Sequence, residues 1–391
     1  MKANVAWSTE EDAKIAGKNI AKKAVLDLNE TKIAFLFSSV KYNTKKLLEG
    51  TKEIMGTAPI IGCTSSGGVV VPDGYISSQN GFAGMMAIGK DEEMFVSTAA
   101  VERDRLVRVA GRKAAENALK KAKKHDRNDR PSYVYVITTP GDEEEYIMGV
   151  QDVLGDIPCF GGSMADENMS GKWRLYNEEK IITDGIVIAL FYTGKEITNI
   201  LDGRYHETVF SGTVKEVSGK RNIIRIDGAK SLKKYCEWTN MEFNDVRGMR
   251  MSQASILRPL GIKTVNSDTT LIRHPLNGNT DYTINIGNDV CVNTTVVQME
   301  ISKDELIDSP RLVLRRLNNK KIGKAKAYII MHSASRKKLM EGRLDETARK
   351  IKQEIGDVPF IMPFSYGEYG RGNNTGNLCG GLMISATAIC E

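Results

Sequence analysis

The chain has 391 residues, more than one ordinary domain needs and enough for two or three. With 41% hydrophobic and 27% charged residues it can bury a core, which excludes wholesale disorder. A formal net charge of +6 is modest for this size and gives no reason to expect a polyanionic partner.

From the N-terminus, residues 1–11 reach acidic positions without an apolar stretch, so no signal peptide is read there. The first strand signal is IAFLF at 33–37, followed at once by Ser38 and Ser39. An amphipathic helix comes next, marked by Leu47, Ile54 and Met55, and it stops at Gly56-x-x-Pro59. Glycine can take the left-handed turn past a helix end, and proline prevents the helix from resuming. A short strand then enters the Gly-rich loop 62–67 (GCTSSG), and a further strand is expected over 81–88. The basic stretch 112–130 interleaves lysines and arginines with alanines at helical spacing and holds no aromatic residue. It reads as a solvated helix face, since binders of single-stranded nucleic acid need aromatic platforms beside the charge.

The same order of signals then returns. YVYVI at 133–137 leads to Thr138 and Thr139, then to a helix marked by Ile147, Val150 and Leu154, and to Gly155-x-x-Pro158. Asp142 and the glutamates at 143–145 read as the cap and first turn of that helix. The loop 161–166 (GGSMAD) and a strand over 185–192 complete the copy. That strand holds the longest apolar run, 186–192, far short of the ~20 residues of a membrane span. From 196 to 299 the pattern changes to short alternating runs (208–217, 223–227, 280–286, 290–297) broken by Gly, Asn and Asp, as in antiparallel hairpins. One helix, 231–238, lies among them. A third copy follows: AYIIM at 327–331, then Ser333 and Ser335. Its helix is marked by Leu344, Ala348, Ile351 and Ile355, and Gly356-x-x-Pro359, loop 364–370 and a strand over 380–389 follow.

Three ordered copies predict an α/β fold of internally repeated β-α-β units with mixed sheets plus antiparallel hairpin segments, in two domains, 1–225 and 226–391. Both loops of each unit leave the carboxyl ends of parallel strands, the edge at which open α/β sheets bind ligands. The candidate ligand-binding residues gathered there are Cys63, Thr64, Ser65, Gly67, Gly162, Ser163, Asp166, Ser365, Tyr366 and Glu368. Amides of the Gly-rich turns suit a carboxylate, and Glu368 suits a cation unless Arg371 neutralises it.

These loops carry a family pattern. Residues 59–67 (PIIGCTSSG) resemble the hallmark loop of the FIST N-terminal domain, and 157–167 (IPCFGGSMADE) resemble its second loop. Residues 359–368 (PFIMPFSYGE) are similar to the aromatic–Thr–Tyr–Gly–Glu turn of the FIST C-terminal domain. The resemblance runs from about residue 29 to 371 in the family's order. It implies an intracellular sensory module that binds small molecules such as amino acids or related metabolites. Family members are often fused to output domains; none is expected here, so the signal would pass to a separate signalling protein. Two positions depart from the pattern: Gly68 stands where a glutamate is frequent, and Ser365 where threonine is usual.

The alternative is an enzyme acting on a small metabolite through Cys63 or Glu368. Among the four histidines only His332 is expected at the same edge as Cys63, and Glu368 with Tyr366 would make an acid–base pair. No catalytic set, metal site or cofactor is expected. The six cysteines (Cys63, Cys159, Cys236, Cys291, Cys379, Cys390) form no C-x-x-C pair, and neither nucleotide-cradling motif is present. A reducing cytoplasm, with no membrane and no nucleic-acid partner, fits this inventory.

Overall fold

The computed structural model describes residues 1–263, 269–320, 322–372 and 376–391. The described residues form four sheets, three of them six-stranded with one strand order. Sheet I runs Lys2–Ser8, Ala83–Gly89, Thr31–Ser38, Ile60–Thr64, Leu175–Asn177, Ile181–Ile182. Sheet II runs Phe95–Glu102, Gly185–Tyr192, Tyr133–Thr138, Cys159–Ser163, Glu368–Arg371, Asn377–Gly380. Sheet III runs Ile197–Asp202, Ile384–Cys390, Ala325–Ser333, Phe360–Ser365, Val69–Val71, Gly74–Ile76. In each, the third and fourth strands are parallel, with Ala34 opposite Ile60, Val134 opposite Cys159 and Tyr328 opposite Phe360.

The last two strands of every sheet are a hairpin from a different unit. The hairpin after loop 62–67 completes sheet III and the one after 161–166 completes sheet I; the one that completes sheet II begins inside the expected loop 364–370, at Glu368, which leaves only Tyr366 and Gly367 between strands. The exchange is cyclic.

Two levels of packing hold this together. The third strands are buried along almost their whole length, as expected of strands covered on both faces. Their inner faces share one core: Phe35 meets Tyr135 edge-on at 5.0 Å, and the Tyr135 hydroxyl donates to Met331 Sδ at 3.1 Å. Each such fully buried side chain contributes roughly 1.5–3 kcal/mol. The outer faces are covered by helix pairs: Ala13–Ala24 with Thr44–Met55, Val107–Lys123 with Glu143–Leu154, and Lys303–Asn318 with Leu344–Ile355. The three expected helix stops are present. Gly56, Gly155 and Gly356 end their helices at φ 60°, 70° and 66°, each donating its N–H to the carbonyl four residues back.

Sheet IV, eight strands drawn from His206–Ser218 through Thr295–Glu300, sits between the first strand and first helix of the third unit. The expected division at 225/226 falls inside its strand Asn222–Ile226. Three strand expectations shift. Residues 377–380 belong to sheet II, and the sheet III strand starts only at Ile384, because Leu382 takes a left-handed turn at φ 55°. The runs at 280 and 290 begin later, at Ile284 and Thr295, past left-handed Tyr282 and Asn293.

Candidate functional site

The carboxyl ends of the parallel strands in all three sheets point to one place, so their loops meet. Phe364 N–H donates to Ser65 Oγ at 2.9 Å, and Ser66 N–H donates to the Phe364 carbonyl at 3.1 Å. Ala165 N–H donates to the Thr64 carbonyl at 3.1 Å, and Ser163 N–H to the Gly367 carbonyl at 2.8 Å. The Tyr366 hydroxyl lies 2.7 Å from the Asp166 carbonyl and 2.8 Å from its Oδ1. Loops 62–67, 161–166 and 364–370 thus close a ring in which each touches both others.

The ring is dense. Cys63, Thr64, Ser65, Gly162, Ser163, Asp166, Ser365 and Glu368 are buried, while Gly67 and Tyr366 are half-buried and reach its outer rim. Beside them stand Trp173, edge-on to Tyr366 at 6.0 Å, and Lys337, whose ammonium lies over the Tyr75 and Phe364 rings at 5.7 and 5.8 Å. Lys41 and Glu167, 4.0 Å apart, are exposed on the same rim. Asp166 is an ionised acceptor. Burial opposes its charge, but hydrogen bonds from Tyr366, Ser170 and the Lys172 and Asn168 amides outweigh that and hold it below the ordinary carboxylate range.

Glu368 is a different carboxyl from the one expected. Arg371 does not neutralise it; Arg371 forks onto Asp156 at 2.7 and 2.8 Å. Glu368 is fully buried, with Ser365 Oγ donating to Oε1 at 2.8 Å and Met383 N–H to Oε2 at 2.9 Å. Burial pushes it up to about 8, against the pull of those two bonds and of Arg336. At neutral pH it mostly keeps its proton, so it is poorly suited to catching a cation. Tyr366 bonds Asp166 rather than Glu368, so the two make no acid–base pair.

Cys63 and His332 make no catalytic pair either. Burial pushes the Cys63 thiol up, whereas a nucleophile needs the thiolate. The Nδ1 of His332 sits 3.1 Å from the Ser333 carbonyl, and its Nε2 is buried without a hydrogen-bond partner. Burial, with Arg336 adding to it, holds the ring neutral, well below the ordinary histidine range. Asp142 occupies the cap position of its helix, but its side chain caps nothing and pairs with Arg103 instead; Glu143, Glu144 and Glu145 fill the first turn.

Three features escape a reading of the sequence. Tyr369 puts its hydroxyl 2.6 Å from both Ser163 Oγ and Thr138 Oγ1. Ser163 Oγ donates to buried Glu143 at 3.2 Å, and Arg221 of sheet IV donates to the other oxygen at 2.9 Å. A hydrogen-bonded path therefore runs from the ring into sheet IV. Arg336, in a run that reads as a basic helix turn, is fully buried. Only tertiary burial distinguishes these residues from their neighbours in sequence. Among the described residues no group of three His, Cys, Asp or Glu could hold a metal ion, and no helix is long and apolar enough to cross a membrane.

No curated protein matches the chain. Among solved structures it is similar to a crystal structure of cyanuric acid hydrolase from A. caulinodans, at 8% identity and TM-score 0.35 over 100% of this chain and 99% of that one. Residues 32–229 match the FIST N domain and 231–371 the FIST C domain. With these two matches covering nearly its whole length, the chain belongs to the FIST family.

Proposed function

We propose that this is a small-ligand-binding sensory protein of the cytoplasm that takes amino acids or related small metabolites at the rim of the ring. We further propose that it passes their presence to a separate signalling partner. The observation that carries the reading is the closed contact of the three loops: a ligand touching the rim biases all three sheets at once. Lys337, 3.6 Å from exposed Glu341, offers an ammonium that a ligand carboxylate can share, Glu167 an exposed acceptor to an amine, and Trp173 with Tyr366 a surface for an apolar body. The path through Ser163, Glu143 and Arg221 supports sheet IV as the part that responds. Where the two family matches meet supports a division of the chain near residue 225.

The test is a thermal-shift screen of amino acids and small amines, followed by calorimetry. A ligand bound about ten-fold more weakly by Lys337→Gln is the expected result. A screen without a hit, or a hit indifferent to Lys337→Gln and to Trp173→Ala, sinks the rim as the site. The enzyme alternative has its own measurement: iodoacetamide should label exposed Cys291 first and leave Cys63 untouched in the folded chain.

A further inference from the structure

Around the last residues of strand Ile197–Asp202, positive charge is in excess. Asp202 is bonded by Arg316 at 2.8 Å, with Arg204 also near at 3.6 Å. A third guanidinium, that of Arg336, is fully buried against them, with Tyr205 stacked over it at 5.4 Å. Its two Nη1 hydrogens go to the carbonyls of Gly203 and Leu382, at 2.9 and 3.1 Å, and Nη2 donates to Ser309 Oγ. Among the described residues no carboxylate lies within ion-pair distance of it. The acids that act on it from further off are Asp202, already shared by two arginines, and Glu368, whose oxygens are engaged by Ser365 and Met383. Glu207, the other carboxylate at this place, is taken by Lys263 at 2.8 Å.

Among the described residues, two guanidinium nitrogens in this region, Arg336 Nε and Arg204 Nε, are buried donors without a hydrogen-bond partner. A buried charge without a counter-charge, and buried donors without acceptors, are both costly and rare in a folded protein. Arg204 lines a cavity of about 220 Å³ together with Asp202, Gly203, Tyr205, Glu207 and Arg316; Arg336 lies outside its wall. Gly203 and Tyr205 are the residues that hold Arg336 from the other side.

We propose that a small carboxylate binds to Arg336, reached through this cavity and past Tyr205. The free hydrogens of the guanidinium name the class. Nε–H and the remaining Nη2–H belong to the edge that receives two parallel oxygens of a planar carboxylate. The inference goes beyond the ring's rim and does not require it, since Arg336 needs a counter-ion whether or not the rim takes a metabolite.

Sodium acetate is the probe, with sodium chloride at equal ionic strength as reference. The melting temperature of the full chain should rise saturably in acetate over chloride. Arg336→Met should abolish the rise, and Arg336→Lys, which keeps the charge without the fork, should weaken acetate at least ten-fold. Equal melting in the two salts overturns the proposal, as does an acetate response that survives in Arg336→Met. If that variant does not fold, saturation-transfer NMR on the wild type decides. Transfer to the acetate methyl that weakens in Arg204→Gln is expected, and absence of transfer overturns the site.

Discussion

The helix pairs behind sheets I and II meet through glycine on both sides, whereas the pair behind sheet III does not. A Cβ on Gly17 would lie 2.1 Å from the Leu47 carbonyl oxygen, and one on Gly50 would lie 2.0 Å from that of Lys14. Gly111 and Gly149 repeat this against Tyr146 and Arg108, at 2.3 and 2.1 Å. In the third pair, the Thr347 hydroxyl donates to the Ile307 carbonyl at 3.2 Å and Pro310 lies within the helix. The sheets differ in the same sense. Tyr176 and Tyr369 tie the hairpins of sheets I and II to Ser38 and Thr138, while sheet III has Val70 beside Met362, and the third unit buries Arg336, His332 and Glu368. One strand order is therefore compatible with two kinds of interior, and the third unit buries a cluster of titratable groups.

The sharpest break of this contrast is Gly50→Ala or Gly149→Ala. Alanine gains about 1 kcal/mol of helix propensity, but overpacking against backbone costs about 3 kcal/mol or more. Chemical denaturation should therefore show a net loss, and Thr347→Ala in the third unit should lose only about 1 kcal/mol. Equal losses in the two places would erase the distinction.

Glu368 tests the buried charge. Its folded carboxyl, at about 8, lies above its ordinary 4.5, so the folded state holds a proton that the unfolded chain releases. Its contribution is complete below about pH 4.5 and is lost as pH rises through 8, at up to about 1.4 kcal/mol per pH unit. Depressed His332 and His274 act in the opposite sense, losing stability as pH falls, so the comparison must be made between wild type and variant. Glu368→Gln should flatten the decline between pH 5 and 8, and an unchanged profile would remove Glu368 as its source.

Tyr369→Phe comes next, removing one partner each from Ser163 and Thr138, which keep Glu143 and the Thr139 carbonyl, for about 1 kcal/mol, read by thermal melting. Arg371→Ala should be smallest, at most about 1 kcal/mol, because its partner Asp156 is at the surface. A larger loss, together with a changed pH profile, would restore Arg371 as a partner of Glu368.

Local signals carried the repeated units. Strands buried on both faces, helix stripes and G-x-x-P stops lie within a few residues of one another, so the three copies and their loops could be read in order. The edge strands Lys2–Ser8, Phe95–Glu102 and Ile197–Asp202 could not. The first two are partly exposed, and what makes all three strands is pairing with segments far along the chain. The candidate residues were also legible as a group that meets, but not in their protonation or exposure. Glu368 and Arg371 are three apart in sequence, yet one faces the interior and the other Asp156. Arg336 is followed by Lys337 and Lys338 and looks like any solvated basic turn until its burial is seen.

The cyclic exchange of hairpins bears on how the chain is made. Synthesis runs from the N-terminus, but the strand Cys159–Ser163 waits for its outer neighbour until Glu368–Arg371 has left the ribosome. Until then sheet II has an open edge, and Val69–Val71 lacks the strand of sheet III that it pairs with. Only the hairpin of sheet I arrives early, after Ile181–Ile182. An emerging chain must therefore keep two unpaired edges apart from each other and from neighbouring chains, and the glycines Gly161 and Gly162 on one of them make that edge a poor template for foreign strands.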